Sequence, residues 1–61
     1  MDSETIRDFV ERNSDLKVDV VKIRKRFFVV YNQIKMPFSD VFEIIQLCGE
    51  ITKFDFYNTL I

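Results

Sequence analysis

The chain has no histidine, alanine or tryptophan, and only one residue each of cysteine, glycine and proline. A single cysteine excludes an internal disulfide, and without histidine the usual zinc sites are excluded too. No Ser/His or Cys/His pair is available for nucleophilic catalysis, and one glycine cannot make a glycine-rich phosphate loop. Asp40 and Glu43 lie one helical turn apart, but two carboxylates on a short surface helix read as solvation. The expectation is a protein that is not an enzyme and carries no cofactor and no metal. Long apolar runs are also missing. The longest, Phe27 to Tyr31, falls far short of the ~20 residues of a membrane span. The acidic start Met1-Asp2-Ser3-Glu4 has no apolar stretch behind it and is not read as a signal peptide. A cytoplasmic chain with no membrane contact is expected.

What is present is enough for one core. The 61 residues are 48% apolar and 31% charged with net charge −1, which excludes a disordered acidic or basic tail. They make one domain over 1–61. A chain of this size buries only about 60% of its unfolded surface and is marginal alone. Phe, Ile, Asn, Lys, Met and Tyr fill 26 positions against 6 for Gly, Ala, Pro and Arg, which suggests an AT-rich genome. A compact reading frame of that kind suggests a phage or mobile element, an ordinary AT-rich bacterium being the alternative. Charge is segregated along the chain: −3 over residues 1–19, +5 over 20–35 and −3 over 36–61. Such a split orients an encounter with a partner.

The periodicity predicts an all-α fold, a small bundle of three to four helices over about 3–13, 16–35, 39–48 and 53–61. Asp2 or Ser3 caps the first, and Asp8 is spaced to pair with Arg12. Asn13-Ser14-Asp15 breaks the chain and caps a long second helix. There Leu16, Val20, Ile23, Phe27, Val30 and Ile34 recur with heptad spacing. The rival is a hairpin of Lys17–Ile23 and Phe27–Tyr31 around Arg24-Lys25-Arg26. It is disfavoured because that turn lacks Gly, Asn, Asp and Pro, and because alternation fails from Phe27 to Val30. Pro37 suits the first turn of the third helix, Gly49 its left-handed end, and Thr52-Lys53-Phe54-Asp55 is a capping box for the fourth.

Residues 38–60 read as a helix-turn-helix. Phe38, Val41, Phe42 and Ile45 form one apolar face, Gly49 makes the turn, and Phe56 and Leu60 form the second face. The string from Gly49 to Leu60 resembles the turn and recognition helix of small resolvase-like and conjugation-accessory DNA binders. That resemblance implies DNA contact by the exposed side of the last helix, through Lys53 and Asn58. Lys53 is the only cation there, and Asp55 has the wrong sign for a phosphate, so nucleic acid is disfavoured as a partner.

The remaining cations, Lys22, Arg24, Lys25 and Arg26, form a candidate partner-binding basic face. Phe54, Tyr57 and Ile61 form an apolar stripe beyond what docking the last helix needs, and Val21 and Phe28 form another on the long helix. So much apolar surface on so short a chain points to a homodimer, through a swap of long helices or through these stripes. Cys48 is expected to be a small buried hydrophobe. The leading function is a small dimeric protein-binding module, phage- or mobile-element-encoded, that binds and inhibits a larger host protein such as a defence or transcription factor. The alternative is a dimeric helix-turn-helix DNA-binding regulator.

Overall fold

The computed structural model describes residues 2–59. Its elements are α1 (Ser3–Arg12), β1 (Asp19–Ile23), β2 (Arg26–Tyr31), β3 (Ile34–Pro37), α2 (Phe38–Cys48) and α3 (Lys53–Thr59). The fold is α+β, not all-α. Residues expected as one helix over 16–35 instead form most of an antiparallel sheet of order β1-β2-β3. With no long helix present, a swap of long helices has nothing to be built from.

The physical reason lies in the turns. Ile23 pairs with Arg26 and Tyr31 with Ile34, so each hairpin closes on two residues, Arg24-Lys25 and Asn32-Gln33. All four have positive φ, at 51°, 69°, 51° and 67°, as a two-residue type I′ turn requires. Asn32 tolerates that region well, whereas Arg24, Lys25 and Gln33 occupy it at a cost in backbone strain. The strand preference of Val20, Val21, Ile23, Phe27, Phe28, Val29, Val30 and Tyr31 outweighs that cost. The heptad spacing was a coincidence of two short hairpins. In the sheet Val20, Phe27 and Ile34 fall on one face, while Ile23 and Val30 fall on the other.

The two ends of the chain are helical. Thr5 N–H donates to Asp2 Oδ1 at 2.9 Å, capping α1, and this bond is the main reason the Asp2 carboxyl titrates below its ordinary value. Arg12 reaches the carbonyl of Asp8 rather than its carboxylate. Asn13 and Ser14 do not cap a following helix. Their side chains donate back to the carbonyls of Phe9 and Val10 at 2.8 and 2.7 Å, so they close α1. Gly49 ends α2 with φ 83°, its N–H donating to the Ile45 carbonyl at 2.8 Å. At the start of α3, Asp55 N–H donates to Thr52 Oγ1 and Thr52 N–H donates to Asp55 Oδ2, both at 3.2 Å, a reciprocal cap. A parallel bridge between Ser14 and Ile51 ties the two loops together.

The helices share one face of the sheet. α1 packs on β1, and α2 packs across β2 and β3. α3 meets the far end of β2, where Phe56 packs edge-on to Tyr31. The core is Ile6, Val10, Leu16, Val18, Val29, Met36, Val41, Ile45, Ile51 and Phe56. Among the described residues no polar or charged side chain is buried. The core is thin and wholly apolar.

Two substitutions test this account. Gln33→Gly relieves a left-handed non-glycine residue and completes an Asn-Gly turn, so stability should rise by about 0.5–1 kcal/mol. That corresponds to several degrees in Tm for so small a domain, read by thermal melting. Phe56→Ala should cost ~3–5 kcal/mol, which in a denaturant titration removes much of the ~3–9 kcal/mol expected for this length.

Candidate functional site

The expected basic face does not lie along a helix; it caps the first hairpin. Arg24 and Lys25 are the turn itself, while Lys22 and Arg26 flank it on opposite faces of the sheet. Lys22 points to the helix side, where its ammonium sits 5.5 Å above the ring centre of its cross-strand neighbour Phe27. No acidic residue occurs between Asp19 and Asp40. One end of the sheet is therefore uniformly positive.

Beside that turn opens a groove of about 640 Å³, lined by Arg26, Phe27, Pro37, Phe38, Ser39 and Phe42. Its aromatic wall is built from Phe27, Phe38 and Phe42. Phe9 of α1 supports two of them, stacking on Phe42 at 5.8 Å and meeting Phe38 edge-on at 6.0 Å. Phe38 and Phe42 are 6.0 Å apart. Three elements thus line it: β2 supplies Arg26 and Phe27, the end of β3 supplies Pro37, and α2 supplies Phe38, Ser39 and Phe42. Phe42 remains 43% exposed, unusual for a phenylalanine with two aromatic neighbours. Groove and cations together offer an apolar seat under positive charge. A polar hollow at the opposite corner, where Arg7 and Lys17 alternate with Asp8, Glu11 and Asp19, has no such bias.

The expected apolar stripe is split by the fold. Val21 and Phe28 are cross-strand partners on the sheet face that carries no helix. Tyr57 is half-buried against Tyr31 and Phe56, and its hydroxyl accepts from Asn32 Nδ2 at 3.0 Å. Phe54 stands 72% exposed on α3. Ile61 lies outside the described residues. Lys53 and Asn58 are exposed on α3, which docks at the end of β2 remote from the basic turn. A DNA-binding surface that used Lys53 and Asn58 together with the basic stretch 22–26 would therefore draw on opposite ends of β2.

Sequence reasoning missed Phe27, Phe38 and Phe42 as a groove, having assigned all three to apolar helix faces. It also missed Ile23, Val30 and Pro37 as companions of Val21 and Phe28. One signal for these was present: an apolar run bounded by Asn32, with neither face polar, is what a strand looks like when both faces meet apolar surroundings. Comparison with known proteins finds no matching family model, no similar curated protein and no similar solved structure. No helix of the described residues is long and apolar enough to cross a membrane.

Cys48, expected to be buried, is exposed at the end of α2. Ellman's reagent should therefore titrate it in the native protein at close to the rate seen after denaturation. A thiol protected by tens-fold under native conditions would contradict its placement.

Proposed function

We propose that the chain is a protein-binding module that docks on an acidic surface of a larger host protein through its first hairpin turn and the adjoining aromatic groove. The observation that carries this reading is the coincidence of four cations, Lys22, Arg24, Lys25 and Arg26, with the groove walled by Phe27, Phe38 and Phe42. An apolar anchor of the partner would fill the groove while its flanking carboxylates meet the turn. Aromatic and arginine side chains dominate binding hot spots for this reason. Opposite charge adds to the rate and orientation of encounter. Occupying such a surface blocks whatever the host protein uses it for, so inhibition follows without chemistry. The small size and composition suit a phage or mobile-element product.

The DNA-binding alternative draws less support, because its cations sit at two ends of β2 and α3 offers Lys53 alone.

Capture from host lysate by the wild-type chain, compared with Arg24→Glu/Lys25→Glu and with Phe42→Glu, tests the reading. A protein retained by the wild type should be lost with both variants, its affinity falling at least ten-fold, equivalent to ~1.4 kcal/mol. Retention that ignores both substitutions, or no retention at micromolar concentration, would exclude it. Duplex DNA binding that weakens steeply with added salt would favour the alternative.

A further inference from the structure

We propose that the helix-free face of the sheet is the contact between two copies of this chain, packed face to face about a two-fold axis parallel to β2. This face meets the groove only at Arg26 and Pro37, which lie on their common edge, and its centre at Val21 and Phe28 belongs to it alone, so either proposal can fail without the other.

Strand register lays the face out as a small grid. Asp19, Val30 and Lys35 share one row across the three strands, Val21, Phe28 and Pro37 share the next, and Ile23 and Arg26 share the third. None of Val21, Phe28 and Val30 packs against the core, and no helix of the described residues crosses them. The centre is apolar, and the charges are confined to its margin: Asp19 and Lys35 at two corners and Arg26 at the end of the middle strand. A solvent-facing sheet surface ordinarily carries polar residues, so this one is built to be covered.

The corner charges identify what covers it. Asp19 on β1 and Lys35 on β3 sit at the same level on the two outer strands, with opposite sign. A two-fold axis along the middle strand exchanges the outer strands, so each Asp19 faces the partner's Lys35. The same operation places Phe28 opposite the partner's Phe28 and Val21 opposite the partner's Pro37. Sheets packed in this way lie ~10 Å apart, a gap that an Asp and a Lys side chain span between them. Arg26 meets the partner's Arg26 only at the rim, where its exposed head extends into water.

Other arrangements fit worse. An axis across the strands would set Asp19 against the partner's Ile23 and Val30 against the partner's Arg26, burying charge on apolar side chains. A foreign acidic surface would suit Lys35 and Arg26 but confront Asp19 with like charge. A second copy satisfies both signs.

The face is small. Three strands ~4.8 Å apart and five residues of ~3.3 Å cover roughly 15 by 17 Å, below the ~800 Å² per partner of a standard interface. A dissociation constant in the micromolar range is therefore expected.

Sedimentation equilibrium of the full chain from about 5 to 500 µM should show a concentration-dependent shift from monomer to dimer. Phe28→Lys should remain monomeric throughout with an unchanged far-UV spectrum. Asp19→Lys and Lys35→Asp should each weaken the dimer roughly ten-fold, because each converts two attractive contacts per dimer into repulsive ones. The double variant Asp19→Lys/Lys35→Asp should return to within about three-fold of the wild type. A wild-type chain that stays monomeric, a dimer indifferent to Phe28→Lys, or a double variant no tighter than the single ones would each overturn the proposal. The charge swap decides the matter even if Phe28→Lys fails to fold.

Discussion

The register imposed by two tight turns is the constraint on which the rest of this structure depends. Each hairpin loop is two residues long, and each of those residues has positive φ. That geometry allows one pairing of the strands, in which Val18, Val20, Val29 and Met36 share the face toward the helices. Side chains alternate along a strand, so a slip of one residue would turn this set to water and bring Val21, Phe28 and Val30 inward. Both sets are apolar, which makes hydrophobicity alone a poor judge between the two registers. The turns supply the discrimination that composition withholds.

Once the register is set, the helices have little choice. α1 and α2 lay Ile6, Val10, Val41 and Ile45 on the face that holds Val29 and Met36, and α3 closes the open end with Phe56. The helices of the described residues cover one side of the sheet, and none of them covers the other. Two consequences of this one-sided cover matter for function. The uncovered sheet face keeps its apolar centre, and the shallow helical layer leaves Phe42 at the mouth of a groove instead of inside a core. The charge pattern then separates the surfaces. The first hairpin turn concentrates positive charge at one end, beside the groove, while the sheet face carries opposite charges on its outer strands.

The elements at the two ends of the chain were readable residue by residue. Asp2 caps the first helix, Gly49 ends the second, and Thr52 with Asp55 opens the third, because each of these signals acts within four residues and needs no tertiary context. The middle was misread for a specific reason. Two hairpins with two-residue turns repeat apolar residues about every seven positions, so Val20, Phe27 and Ile34 imitate one line of a heptad seam. The unbroken run from Phe27 to Tyr31 then counted against a strand, although it records a strand whose two faces are both apolar. Asn32, the residue best suited to a left-handed turn, was the available clue. Of the candidate site residues, Val21 and Phe28 come together on the sheet and the four cations gather at one turn. Tyr57 lies on the other side of the sheet from Val21 and Phe28, and α3, which carries it and Phe54, sits at the end of β2 away from the cations.

Residue content and order by themselves determined that this chain has enough apolar residues for a single small core, segregated charge, and a surplus of apolar side chains for its length. Those properties follow from counting residues along the chain and hold for any fold the chain adopts. Only the tertiary structure decided where the surplus lies. That outcome rests on strand pairing between residues up to eleven positions apart (Asp19 with Val30), and on two turns whose strain is repaid by contacts elsewhere. No local pattern records an interaction of that range. The surplus was therefore visible as a quantity in the sequence, but its shape as a flat sheet face and an aromatic groove belongs to the fold.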